Sequence, residues 1–314
     1  MTTLGKILCP AALLVAAISA TGCYEGYIHD NEIQNMGFTV SQPLRTVMSD
    51  KNIIYVGVSI AGKREVDTKA WATFEIDPSL IEGTGMTLMP EEYYTLGDPN
   101  TMKVRKSNLP VADVSVTFTD AFYADPLSLT AHYAIPFRMT GTSLSQDSTS
   151  FRENAYTSVV AVKYISNYSG TYYKRVSKVE IDEAGNAISE ELVTVDKDLV
   201  NNPTCTVSTI SPVAILRPGL ADESSDAGSL EITFPSKEGK DCDVTVAGRN
   251  GTAEILSASG KYIKESTFRF YSGDTYAPEL DLSYIYVKDG KRYSVNEKLV
   301  LRQNPEYDLR VETW

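Results

Sequence analysis

Glu91 and Glu92 stand side by side, and two carboxylates held about 5–9.5 Å apart can hydrolyse a glycosidic bond, one protonating the leaving group and one attacking or activating water. Neighbouring residues on a strand point to opposite faces, so this pair reads as solvated charge. A serine-histidine-acid triad would have to use His29 or His132, the two histidines of the chain, and no Gly-x-Ser-x-Gly turn supplies its nucleophile. His132 lies in an apolar stretch, where a packed, hydrogen-bonded imidazole is the simpler reading. No Cys-x-x-Cys spacing marks a zinc site. Walker loops, dinucleotide fingerprints and EF-hand loops are missing as well. The residues therefore suggest no catalytic group, no metal and no cofactor, and the chain is not expected to be an enzyme.

Thiol chemistry is more informative. Lys6 precedes an apolar run from Ile7 to Ile18, and Ala20-Thr21-Gly22-Cys23 follows. That run is too short to cross a hydrocarbon layer about 30 Å thick, and it has the charge and small-residue flanks of a signal peptide. A cysteine directly after small residues resembles the bacterial lipobox, with Ala20 in place of the favoured leucine. The expectation is a signal peptide over 1–22, lipidation of Cys23 and a tether over 23–35. Two acyl chains, at about 0.8 kcal/mol per buried CH₂, anchor a protein stably where one is marginal. Of the four cysteines, Cys9 leaves with the signal, while Cys205 and Cys242 remain either as a disulfide or as two separate buried thiols.

The elements that would position any site are strands. About 290 residues beyond the signal favour two domains at about 100–200 residues each. Lys and Arg total 29 against 41 Asp and Glu, a net charge of −12 that excludes nucleic acid as a partner. Apolar residues recur with period two in Ile53 to Ile60, Trp71 to Ile76, Val111 to Thr119, Leu129 to Met139 and Thr157 to Ile165. This spacing predicts an immunoglobulin-like β-sandwich over 36–165, with Trp71 in its core and Pro136 on an edge strand or bulge. Thr157 to Ile165 is expected to be its last strand, after an exposed loop over 141–154. In that loop Asp147-Ser148-Thr149 matches a short O-glycosylation pattern. Beyond 166, Ala184-Gly185-Asn186, Asn250-Gly251 and Asp289-Gly290 punctuate alternating segments as hairpin turns. Leu282, Tyr284 and Tyr286 share one face, opposite Ile285 and Val287. The expectation for 166–314 is an antiparallel lipocalin-like barrel or a second sandwich, making the chain all-β.

Met89-Pro90-Glu91-Glu92-Tyr93-Tyr94-Thr95-Leu96, followed by Tyr133-Ala134-Ile135-Pro136-Phe137, resembles the N-terminal sandwich domain of unknown function in lipoproteins of gut Bacteroidetes. Asn167-Tyr168-Ser169-Gly170-Thr171-Tyr172-Tyr173 and Ser283-Tyr284-Ile285-Tyr286 resemble the β-rich domain that often follows it. Such domains precede glycan-binding modules or family 18 glycosidases in polysaccharide-utilisation systems. The resemblance implies an outer-membrane lipoprotein, displayed at the cell surface, that captures a glycan or oligosaccharide beside outer-membrane glycan transporter components. The Asp-x-x-Asp-x-Asp-x-Glu motif of family 18 enzymes is absent from this chain.

Sugars present C–H faces that stack on exposed aromatic rings. Tyr271 and Tyr276 flank the turn-like Ser272-Gly273-Asp274-Thr275, and Trp314 ends the chain, so Tyr271, Asp274, Tyr276 and Trp314 are the candidate glycan contacts. The competing reading is a structural adhesin or fimbrial subunit, with Arg45 and Arg64 as possible sites of arginine-directed cleavage. An enzymatic reading ranks last.

Overall fold

A computed structural model describes residues 34–62, 67–106, 108–144, 155–271, 273–303, 305, 309 and 312–314. Cys23, His29, Arg64 and the Asp147-Ser148-Thr149 triplet lie outside the described residues. The fold is all-β, a sandwich-like sheet followed by a closed barrel of eight strands.

The first sheet is built from β1 (Asn35–Gly37), β2 (Pro43–Met48), β3 (Ile53–Ala61), β4 (Trp71–Ile76), β5 (Thr87–Leu88), β6 (Tyr94–Leu96), β7 (Thr101–Val104), β8 (Val111–Phe118), β9 (Tyr133–Thr142) and β10 (Thr157–Ile165). Alternation dictates its faces. Ile54, Val56, Val58 and Ile60 of β3 and Ala112, Val114, Val116 and Phe118 of β8 are buried, while the residues between them are at least partly exposed. The path β1-β3-β8-β7-β4-β9-β10-β2 folds over on itself, so that this wing shares one core with Phe137, Val160, Val162 and Tyr164. β2 joins β10 in parallel.

Several expectations change here. Trp71 is 41% exposed, because Ala72 and Phe74 take the inward positions of β4. Pro136 sits in a central strand rather than on an edge or bulge. β9 pairs β10 on one side and β4, then β5, on the other. The register with β4 ends at Phe137 and that with β5 begins at Ala134, so the missing N–H falls where the partner strand changes. Glu91 and Glu92 lie in a 3₁₀ turn, Glu91–Tyr93, rather than on a strand, and both are exposed. Leu129 belongs to a 3₁₀ turn ahead of β9. His132 lies in the following turn, edge-on to the Tyr133 ring at 4.6 Å.

The second sheet comprises β11 (Gly170–Ile181), β12 (Leu192–Thr194), β13 (Thr204–Ser211), β14 (Ala214–Pro218), β15 (Ser229–Thr233), β16 (Cys242–Arg249), β17 (Glu254–Phe270), β18 (Gly273–Lys288) and β19 (Lys291–Leu301). β11 pairs β13, each strand from β13 on pairs the next as an antiparallel meander, and β19 returns to β11 from Tyr172↔Leu301 to Ile181↔Arg292, closing the barrel. β12 is a spur on β11. Asp289 and Gly290, with φ of 52° and 75°, make the two-residue turn between β18 and β19 whose twist suits paired strands. Leu282, Tyr284 and Tyr286 point inward, as their alternation requires.

Cys205 and Cys242 are free thiols, not a disulfide. They stand on β13 and β16 with β14 and β15 between them, and each packs against the barrel core. Strands about 4.8 Å apart put such positions beyond bridging reach. A last strand, β20 (Glu312–Thr313), pairs β2, so the chain returns to the first sheet after completing the barrel and β10 is not that sheet's last strand.

Candidate functional site

The barrel interior is the first place to look for a ligand, and side chains fill it. Tyr168, Tyr172, Leu230, Ile232, Phe234, Tyr262 and Leu280 are all buried in one cluster with the inward residues of β18 and β19. Tyr168 and Phe234 stack at 3.5 Å between ring centroids. Among them lies a buried ion pair, Arg217 and Glu297, at 1% and 0% side-chain exposure and 2.5 Å apart. The Arg217 guanidinium also donates to the carbonyls of Pro218 (2.6 Å) and Ala221 (2.8 Å). Tyr284 Oη donates to the second Glu297 oxygen at 3.0 Å and accepts from the Ala221 amide at 2.6 Å. Burial pushes the Tyr284 phenol well above its ordinary pKa, so it stays a hydrogen-bond donor. Charges this deep persist only when partnered, and of the polar atoms of this pair only the Arg217 Nε–H lacks a hydrogen bond. The interior is a packed core.

The β17–β18 hairpin differs. Its register shifts between Ile263 and Ser266, where two residues, Lys264 and Glu265, oppose one, Pro278. Such a bulge bends the ribbon, and Pro278, which has no N–H for the ladder, falls at the position where pairing is already broken. Beyond the bend, Phe268, Phe270 and Ala277 pack with Tyr173, Leu199 and Val300 in a small cluster of their own. Leu199 belongs to a 3₁₀ turn, Leu199–Asn201, which the Asn202 side chain ties down by donating to the carbonyls of Asp196, Asp198 and Leu199.

Over this cluster lies a cleft of about 410 Å³, lined by Tyr173, Phe270, Tyr276, Pro278, Arg302 and Gln303 among others. Tyr276 is 72% exposed at its margin. Phe270 pairs Gly273 directly, so the chain reverses before Gly273 and not over 272–275. Tyr271 is 63% exposed and sets its ring edge-on to Phe270 at 4.8 Å. These are the two most exposed large apolar or aromatic side chains among the described residues. Tyr271 also adopts φ of 55°, a left-handed conformation that glycine and asparagine take readily and a bulky aromatic does not. Asp274 is exposed opposite Arg269, whose guanidinium lies 3.8 Å from Asp198.

The structure thus gathers Tyr271, Asp274 and Tyr276 at one hairpin end and separates Trp314 from them. Trp314 lies on the first sheet, packed against a cluster of Leu44, Ile81, Ala134, Val159 and Ala161, and its indole N–H donates to the Val159 carbonyl at 3.0 Å. Tyr173, Phe270, Arg302 and Gln303 gave no sequence signal as a site, because barrel closure alone brings β11, β17 and the end of β19 together. The Pro90-to-Leu96 motif has a structural role: Tyr93 donates to Asp125 at 3.0 Å, as does Tyr133 at 2.5 Å. Those bonds, that from Tyr133 foremost, hold the Asp125 carboxyl below its ordinary range. No group of three His, Cys, Asp or Glu side chains suited to a metal occurs among the described residues. Arg45 lies within β2, opposite Val162 of β10, and the pairing of β2 with β20 covers Pro43 and Leu44.

A family model described as a "-like, N-terminal domain" matches residues 24–146. No protein of curated function matches the chain. Among solved structures, a Bacteroides ovatus protein of unknown function is 19% identical with a TM-score of 0.67, covering 91% of this chain and 100% of that one. A second B. ovatus protein of unknown function is 14% identical with a TM-score of 0.43, covering 86% and 94%. An auxiliary nutrient binding protein of Bacteroides thetaiotaomicron is 15% identical with a TM-score of 0.40, covering 93% and 100%. At these identities the likeness is one of fold, and the first of the three carries it along both domains.

Proposed function

We propose that this protein is a lipid-anchored, non-catalytic glycan-binding protein of the outer membrane, and that the hairpin end with its cleft is the sugar contact. One observation carries the proposal: Tyr271 and Tyr276 are held in solvent beside a cleft while the other tyrosines of the barrel are packed inside or along its wall. An exposed aromatic ring offers the C–H face of a pyranose a stacking partner, and Thr275, Arg302 and Gln303 bring polar groups for its hydroxyls. The left-handed Tyr271 supports the same reading. Backbone strain at an exposed tip persists where the side chain is used. The signal-like segment before Cys23 supports a lipid tether, and the resemblance to Bacteroidetes lipoproteins supports outward display beside a glycan transporter.

Tyr271→Asn tests the site with opposite signs on two readouts. Asparagine suits the left-handed turn, so thermal stability should hold or rise while affinity for a retained polysaccharide falls in gel electrophoresis or calorimetry. A variant that loses stability and keeps affinity would remove Tyr271 from the site. If no member of a broad polysaccharide panel binds the wild type, the glycan reading itself fails. For the anchor, Cys23→Ala should shift the protein from the membrane fraction to the soluble one.

A further inference from the structure

Five arginines among the described residues pair with carboxylates. Arg105 pairs with Asp113, Arg138 with Asp77, Arg217 with Glu297, Arg249 with Glu231 and Arg269 with Asp198. Arg45 does not. It alternates with Val47 on the face of β2 that enters the sandwich core, and no carboxylate pairs with its guanidinium among the described residues. It lines a cavity of about 150 Å³ with Phe38, Thr39, Tyr55, Ser158 and Val160, at the mouth where the β1–β3 end of the sheet approaches the β10–β2 end. Burial lowers its pKa, and no opposing charge offsets that. The nearby Arg105 cannot be what the cavity serves, since it stacks on the Tyr55 ring at 3.6 Å and is paired with Asp113. Ser158 donates to the Val40 carbonyl at 2.9 Å, leaving its hydroxyl oxygen to accept, and the Thr39 hydroxyl stands at the cavity wall.

A half-buried guanidinium in a largely apolar pocket, with no carboxylate beside it, gains from an anion that meets its N–H groups. Its planar fork fits two oxygens of one anion. At about 30 Å³ per water, the cavity holds about five waters, or one oxyanion group with a few attached atoms. It is too small for a sugar chain. We propose that Arg45 and its cavity form a binding site for an oxyanion, the carboxylate, sulfate or phosphate group of a small molecule. The site lies on the first sheet, on other strands than the hairpin cleft, and does not depend on the cleft's function.

The test is thermal unfolding of the mature chain titrated with acetate, sulfate and phosphate at constant ionic strength held by chloride, in wild type and Arg45→Met. A wild-type Tm that rises saturably, by about 3–6 °C at tenfold excess over Kd, is expected for at least one of the three anions. Which anion gives the tightest response separates a carboxylate ligand from a sulfated or phosphorylated one. Arg45→Met should lose the saturable part, and without oxyanion it should unfold no lower than wild type. Equal responses in both proteins would overturn the site, because they would be the general stabilisation that excluded salts produce. A fall of several degrees for Arg45→Met in chloride alone would also overturn it, by showing that the guanidinium is satisfied within the chain. Should the methionine variant not fold, the wild-type Arg45 Nε–Hε resonance gives the answer: a saturable shift with anion supports the site, and its absence sinks it.

Discussion

The barrel interior and the end of the β17–β18 hairpin are built from the same strands and the same residue type, and they treat tyrosine in opposite ways. Inside, Tyr172, Tyr284 and Tyr286 are almost wholly buried, and the Tyr284 hydroxyl is engaged by Glu297 and Ala221. Past the bulge at Ile263–Ser266 the ribbon leaves the wall, and Tyr271 and Tyr276 face solvent. A closed barrel of eight strands has little more room than its own side chains need. Where that room is filled by tyrosines and an ion pair, a ligand site has to be built outside. The bend in one long hairpin makes such a place.

The sharpest way to test the comparison is to break the interior. Glu297→Gln leaves Arg217 buried without a counter-charge, which should lower stability by about 3–5 kcal/mol in denaturant unfolding. Binding by protein that remains folded should be unchanged, since the pair lies in the core and not at the cleft. Trp314→Ala comes next, with an expected loss of about 1–2 kcal/mol for a half-buried indole and its bond to Val159. If glycan affinity fell instead, the grouping of the aromatics would be wrong. Tyr276→Ala should weaken glycan binding about three- to tenfold and move Tm by less than about 1 °C, the reverse of what an interior tyrosine would do.

The smallest effect concerns acid. Hydrogen bonds from Lys288 first and Lys178 next hold the Glu223 carboxyl below its ordinary 4.5. A lowered folded pKa gives stability that is present above the unfolded value and is lost as pH falls through the folded one. Thermal scans from about pH 6 down to about pH 3 should therefore show a steeper decline for wild type than for Glu223→Gln.

Strand alternation was legible from residue types, since Ile54, Val56, Val58 and Ile60 follow a period of two that only a one-sided strand satisfies. Turns at Asp289-Gly290 and Asn250-Gly251 were equally plain, because few residues take positive φ cheaply. Trp71 shows where alternation falls short: the pattern names two faces, and only the packing of Ala72 and Phe74 decides which is inside. The reversal between Phe270 and Gly273 carries no such signature in its residues, and the cross-strand register, not local preference, puts it there.

By itself the chain's order of residues determined its all-β character, its two-part organisation into a sandwich and a meander, and the tyrosine-bearing hairpin, since each follows from local periodicity and turn chemistry. Tertiary structure alone decided three other things. It closed β19 on β11, kept Cys205 from Cys242 and drew Tyr173, Phe270 and Arg302 around one cleft. These depend on which strands meet around a barrel, and residues far apart in sequence carry no mark of the neighbours that closure assigns them.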